Sequence, residues 1–245
     1  MPAFFIHSKD IHHSIITIHT PSLFQHLTRS LRIRLGETIY FTDEQRRRYR
    51  SRIIDISRTR LEAEVLESRI GPPPPASPLT LAQAILKGEK MAWVVQKATE
   101  LGVTRISPLI TERSLIKLNA HQAQRYRQRL MRIALEAAQQ AERWDIPTVD
   151  TPCPFEQFVR EAHTPVKFLL VERHAGESLL ATGLLAPSVG PVMLGIGPEG
   201  GWSDRELALA QAEGFYFASL GERILRAETA ALAAVCLVQS RLSNL

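Results

Sequence analysis

An apolar run, Val192 to Ile196, stands between Pro191 and Gly197. A run this short, uninterrupted and bounded by turn residues reads as a strand buried on both faces, as inside a parallel sheet. The loop that follows, Gly197-Pro198-Glu199-Gly200-Gly201-Trp202, is rich in glycine, and Ser203 with Glu206 three residues later is a capping-box signature that starts a helix. Gly214 closes that helix. Phe215 to Leu220 reads as the next strand, Gly221 opens a second loop, and Ala227 to Leu242 reads as a long, largely buried helix. The two glycine-marked loops are expected to leave neighbouring strand ends. That rim is where open α/β sheets bind small ligands, because exposed backbone groups and absent side chains let a ligand lie close. For any single glycine pair tight turn chemistry is the commoner account, and two matched loops weigh against it.

Gly195-Ile196-Gly197-Pro198-Glu199-Gly200 also satisfies G-x-G-x-x-G after a strand, with Glu222 near the end of the next strand, as in a dinucleotide fold. In that fold the third glycine lies within the helix opening, whereas here Gly201, Trp202 and Ser203 intervene, and one further helix is all that follows Glu222. A dinucleotide-dependent enzyme therefore stands as the minor alternative.

The rest of the chain divides at Gly71-Pro72-Pro73-Pro74-Pro75-Ala76-Ser77-Pro78, since prolines at this density join neither a sheet interior nor a helix. This gives an amino-terminal domain over 1–71, a linker over 72–78 and a carboxyl-terminal domain over 79–245. The formal charge of +5 is concentrated before the linker, where 12 Lys/Arg face 8 Asp/Glu. Residues 3–70 alternate in short β-like runs (Ala3–Ile6, Ile15–His19, Glu37–Thr42, Arg50–Ile56 and Leu61–Leu66), with one helix expected from Ser22 to Arg32. The pattern suggests a small, mostly β, barrel-like unit. Between Asp43 and Arg52, Arg46, Arg47, Arg48, Arg50 and Arg52 crowd around Tyr49 in an expected loop, a composition suited to phosphate contact with base stacking. A charged hairpin edge that resists pairing is the competing account. Arg29, Arg32 and Arg34 near the end of the preceding helix favour nucleic acid.

Beyond the linker, strand and helix alternate: Leu79–Leu86, helix Lys90–Leu101, Val103–Leu109, a loop with Thr111-Glu112-Arg113-Ser114, a helix over roughly residues 120–142, Val166–Val171, then a short helix or loop from Gly176 to Leu185. Such alternation builds a parallel sheet. Eight scattered histidines and two cysteines have no metal-ligand spacing, so no metal is expected, and Cys153 and Cys236 read as reduced packing residues. No apolar run reaches membrane-spanning length and no secretory pattern opens the chain, so a cytoplasmic location is expected. Walker and nucleophile-elbow motifs are absent. The charged residues near the glycine loops, Glu199, Arg223, Arg226 and Glu228, suit a site that orients reactants and balances charge.

Ile196-Gly197-Pro198-Glu199-Gly200-Gly201, Leu220-Gly221 and Ile224-Leu225-Arg226-Ala227-Glu228-Thr229-Ala230 together resemble the signature of the ribosomal RNA small-subunit methyltransferase E family. Further matches are Lys87-Gly88-Glu89-Lys90, Gln96 to Val103, Pro108, Thr111 to Ser114, and Glu136 to Gln140 with Arg143; His26-Leu27, Leu31-Arg32 and Gly36-Glu37 match more loosely. Asp43-Glu44 stands where the family often has Asp-Gly, which bears on the shape of the basic loop. The resemblance implies a SPOUT-type α/β domain with a carboxyl-terminal trefoil knot, preceded by a PUA-like RNA-binding barrel. It also implies a homodimer that binds S-adenosylmethionine and methylates N3 of a uridine in 16S ribosomal RNA of the small subunit.

By the same resemblance, Leu194, Ile196, Gly197, Pro198, Glu199, Gly200, Leu220, Gly221, Ile224, Leu225, Arg226, Thr229 and Ala230 would hold the cofactor. Arg226 would stabilise charge on the uracil, and Glu199 or Glu228 would accept its proton. Arg113, with Arg29, Arg32 and the arginines of the basic loop, would contact RNA. A non-catalytic RNA-binding assembly factor is the other reading, one that would keep the basic module and lose cofactor binding.

Overall fold

The structure is a computed structural model that describes residues 3–172, 177–179 and 181–244. It divides into two compact units, residues 1–73 with 138–145, and residues 74–137 with 146–245. The second segment of the first unit carries no signal in the sequence.

The first unit contains β1 (Ala3–Phe5), β2 (Ile11–His12), β3 (Ile15–Ile18), α1 (Pro21–Gln25), β4 (Thr38–Thr42), β5 (Arg47–Ile56) and β6 (Leu61–Ile70). These strands form one sheet in the order β1-β4-β5-β6-β3-β2, antiparallel except for β1 on β4. Phe4, Ile16, Ile18, Phe41, Ile53 and Leu61 are buried together, following the period-2 alternation of their strands, and Leu27 joins them from the turn after α1. The helix expected to reach Arg32 stops at Gln25. It widens into a π-helical turn over His26–Ser30, and Arg32 has φ +53°, which ends any helix.

The expected basic loop is also shorter than the sequence suggests. Its turn spans Asp43 to Arg46, and the remaining arginines lie on β5. Buried Asp43 shapes the turn: Oδ1 accepts the N–H groups of Gln45 and Arg47, and Oδ2 accepts the Tyr49 hydroxyl at 2.8 Å. Burial and that hydrogen bond push the Tyr49 phenol up to about 12. Arg48 is buried, donating from Nη2 to the carbonyls of Glu142 and Arg143 at 2.9 Å each, from Nε to Thr42 Oγ1, and stacking on Trp144 with its guanidinium carbon 4.1 Å from the ring centroid. Burial, then the nearby Arg69, pull its pKa below the usual guanidinium value. Arg48→Ala removes three charge-assisted hydrogen bonds and the stack at once, and is expected to cost about 2–4 kcal/mol in denaturant unfolding. A loss below about 0.5 kcal/mol, the scatter of surface substitutions, would show that these contacts hold nothing.

The second unit contains β7 (Leu79–Ala84), α2 (Lys90–Glu100), β8 (Arg105–Ile110), α3 (Ala120–Gln140, whose end counts with the first unit), β9 (Thr148–Val149), β10 (Cys153–Pro154), α4 (Phe155–Arg160), β11 (Val166–Leu170), β12 (Glu177–Ser178), β13 (Val192–Ile196), α5 (Asp204–Ala212), β14 (Tyr216–Ser219) and α6 (Ala227–Arg241). All described pairings in its sheet are parallel, in the order β10-β8-β7-β13-β11-β14-β12, with β9 also on β8. Residues of one strand enter two cores. Val192, Leu194 and Ile196 pack with residues of α2 and α6, while Met193 packs with residues of α4 and α5. This two-sided burial is why the run carries no polar alternation.

Of the short helix or loop expected from Gly176 to Leu185, Glu177–Ser178 pair with β14 and residues 181–185 form a loop; Gly176 and Leu180 lie outside the described residues. Cys153 is half-buried, its thiol pushed up to about 11 by burial and then by Asp150. Cys236, expected to pack inside the last helix, is exposed. No helix among the described residues is long and apolar enough to cross a membrane.

Candidate active site

The two glycine loops leave the carboxyl ends of β13 and β14, but these strands are not neighbours. Phe168 of β11 faces Leu194 on one side and Tyr216 on the other, so β11 lies between them. The β13–α5–β14 crossover lands one strand further along than the sequence reading expects. A cavity of about 390 Å³ opens at the three strand ends, within the roughly 300–1,000 Å³ typical of small-molecule sites. Leu170, Val171 and Glu172 form the β11 side of its wall, and no loop motif marks them.

The first loop is held from below by Trp202. Its indole Nε1 donates to the Leu170 carbonyl at 2.9 Å, and its ring lies 4.8 Å from that of Phe155. A Cβ on Gly197 would come within 3.2 Å of the Trp202 ring, so the glycine permits the close packing. At the end of the loop the expected capping box is present: Glu206 N–H donates to Ser203 Oγ, and Ser203 N–H to the Glu206 carboxylate. The second loop turns at Gly221, with φ +107°.

Glu199 lines the cavity and accepts hydrogen bonds from Lys90 Nζ at 3.1 Å and from the Lys87 N–H at 3.3 Å. Burial pushes its carboxyl up, but hydrogen bonds from its own backbone, Lys90 and Lys87 outweigh this and hold it below the usual value. Lys90 Nζ also stands 3.8 Å from Glu228 Oε2, a buried oxygen with no hydrogen-bond partner among the described residues. The motif Lys87 to Lys90 thus joins the start of α6 to the first loop.

Of the residues expected to hold a cofactor, Ile196 lines the cavity from the end of β13, Gly197, Pro198, Glu199 and Gly200 from the first loop, Leu220, Gly221 and Leu225 from the second, and Ala230 from α6. Leu194 is buried within β13, and Ile224, Arg226 and Thr229 are exposed outside the lining. Glu228 is outside it too. Arg226 caps α6, while the guanidinium-bearing residues on the wall are Arg113 and Arg223. Arg223, one of the charged residues read as lying near the glycine loops, is on the wall, and Trp202 is a wall residue that the sequence reading did not place in the site.

In the first unit the basic residues part ways. Arg46 pairs with Asp145 and donates to the Pro72 carbonyl, Arg48 is buried, and Arg50 and Arg52 pair with Glu67 and Glu64. Arg29, Arg32 and Arg47 are exposed. Among the described residues no group of three His, Cys, Asp or Glu side chains could hold a metal.

A parallel α/β sheet whose glycine loops wall a cavity at the carboxyl ends of its strands is a ligand-binding α/β domain. Its relatives define it further. Residues 73–239 match the model of an RNA methyltransferase domain. The ribosomal RNA small-subunit methyltransferase E of Synechocystis is 34% identical over 246 residues, covering 96% of this chain and 76% of that protein. The crystal structure of the Neisseria gonorrhoeae ribosomal RNA small-subunit methyltransferase E bound to S-adenosylmethionine superposes with a TM-score of 0.85 at 29% identity, covering 98% of this chain and 97% of that one. A Legionella pneumophila protein solved in complex with bound S-adenosylmethionine gives 0.89 at 31% identity, covering 97% and 96%. The chain belongs to the ribosomal RNA small-subunit methyltransferase E family.

Proposed function

We propose that this chain transfers a methyl group from S-adenosylmethionine to N3 of a uridine in the 16S ribosomal RNA of the small subunit, acting in the cytoplasm as a homodimer. In the same reading the carboxyl-terminal unit carries a trefoil knot and the amino-terminal unit is a PUA-like RNA-binding module. The observation that carries the reading is the cavity at the ends of β11, β13 and β14, in a chain of this family. The residues on its wall fit such a cofactor: apolar Ile196, Leu220 and Leu225 and the close-approach glycines would hold its adenosine part, and the carboxylate of Glu199 would balance the charge of a sulfonium. When bound, the cofactor supplies a methyl group on an already activated leaving group. The protein's work is to orient the uracil nitrogen, exclude water and manage the N3 proton.

Arg113 and Arg223 on the wall, and Arg226 at the cap of α6, meet the negative charge that spreads onto the uracil oxygens. A carboxylate with a depressed pKa is a weak base, so Glu199 contributes charge balance, and Glu228, with an oxygen that has no hydrogen-bond partner among the described residues, accepts the proton. Exposed Arg29, Arg32 and Arg47 position the RNA through its phosphates.

The test is transfer of labelled methyl to small subunits from a strain lacking the activity, followed by digestion to nucleosides. Recovery of 3-methyluridine is the expected result; binding of the cofactor with label at another base would overturn the N3 assignment, and no binding and no label would favour an assembly factor. In the same assay Glu228→Gln is expected to lower kcat by about 100-fold with cofactor Kd within about threefold, and Glu199→Gln to act mainly on Kd. Full turnover by Glu228→Gln would move the proton elsewhere, and full turnover by Arg226→Ala would remove Arg226 from charge stabilisation.

A further inference from the structure

The carboxylate of Glu206 does more than close a capping box. In that motif the acidic side chain reaches back to the N–H of the cap residue and ends there. Here Oε2 accepts the Ser203 N–H at 2.9 Å, and Oε1 accepts the N–H of Glu112 at 2.9 Å, from a turn 94 residues earlier in the chain. Glu206 is 2% exposed. A buried carboxylate with each oxygen on a different loop is costly to place unless both bonds are kept, so it fixes one loop against the other.

The turn it holds is itself stiff. Ser114 N–H donates to the Thr111 carbonyl, Thr111 N–H to Ser114 Oγ, and the two hydroxyls lie 2.6 Å apart, all buried. Arg113 sits between them. Its Nη1 donates to the Gly200 carbonyl at 3.1 Å, and a Cβ on Gly200 would stand 3.2 Å from Arg113 Cβ. Thus Glu206 secures the backbone on one side of Arg113, and Gly200 receives its tip. An exposed arginine ordinarily gives up several rotatable bonds when it grips a ligand; this one is ordered beforehand, with the rest of its fork still available to a carbonyl or phosphate oxygen.

We infer that Glu206 is a positioning residue that presents Arg113 to the nucleic-acid substrate at the cavity rim, leaving cofactor affinity to the glycine loops. This rests on the reading of Arg113 as a substrate contact given under Proposed function. Glutamine at 206 has a single acceptor oxygen and sets an NH2 group against one of the two N–H donors, so one loop must detach.

The experiment is a double-mutant cycle of Glu206→Gln and Arg113→Ala, read as kcat/KM for small ribosomal subunits and as cofactor Kd, with amide exchange of the wild-type protein. Each single variant is expected to lose about 10-fold or more in kcat/KM with cofactor Kd within about threefold, and the double variant to be no worse than Arg113→Ala alone. Fold-losses that multiply in the double variant, or a cofactor Kd that worsens as much as kcat/KM, would give Glu206 a general structural role and overturn the inference. The exchange measurement stands whether or not Glu206→Gln folds: the Glu112 amide, on an exposed residue, is expected to be protected, and exchange at the rate of an open peptide would overturn the staple. A wild-type protein that binds cofactor yet methylates no small subunit removes the reading beneath the inference and overturns both. An active wild type with multiplicative losses overturns the inference alone.

Discussion

Trp202→Ala is expected to lose about 3–5 kcal/mol of stability, the usual cost of emptying a buried aromatic site, and to abolish measurable cofactor binding in the same variant. The indole is 8% exposed and belongs to the core shared by α4 and α5, so its removal leaves a void against Phe155. It also underlies the cavity, because its ring packs against Gly197 and its N–H ties the first loop to the last residue of β11. Trp202→Phe separates the two contributions. It keeps most of the packing but leaves the Leu170 carbonyl without its donor, and is expected to cost about 1–3 kcal/mol and to weaken cofactor binding without removing it. Urea unfolding followed by circular dichroism, with calorimetric titration of S-adenosylmethionine, decides the matter. Cofactor affinity unchanged in a folded Trp202→Ala protein would mean that the loop keeps its shape without the indole.

What the sequence discloses about this site is what local chemistry enforces. Ser203 and Glu206 predict the start of α5 because a cap is satisfied within four residues, and Gly214, at φ +78°, ends it where expected. The strand Val192–Ile196 is legible for the same reason, since burial on two faces forbids polar residues locally. The placement of β11 between β13 and β14 has no such signature; strand order is decided by how helices on both faces cover the sheet. The partners of Arg46 and Arg48 lie near residue 145, so a cluster that reads as a basic loop holds two arginines committed to internal contacts. The second bond of Glu206 is invisible for the same reason, as its donor is 94 residues away. Residues 67–70 of β6 are exposed and lack alternation, so that strand reads as ending sooner than it does.

Gly221→Ala is expected to weaken S-adenosylmethionine binding by about 30-fold or more while shifting global stability by no more than about 1–2 kcal/mol. Gly221 has φ +107°, well outside the left-handed helical region near +57° that L residues visit, and it lines the cavity between Leu220 and Arg223. Steric crowding is not the cause: a Cβ there meets nothing within 4 Å. The cost is therefore purely conformational. An exposed loop relieves such strain by abandoning its conformation, so the loss falls on the shape of the cavity wall rather than on the core. Gly201→Ala is the matched control. It also faces open space, but its φ of +67° is one that an L residue adopts at about 1–2 kcal/mol, and it is expected to weaken binding by less than about 10-fold. Calorimetric titration of the two variants beside the wild type measures the difference. Equal losses in both would show that the second loop takes its bound conformation from the ligand and not from its own backbone.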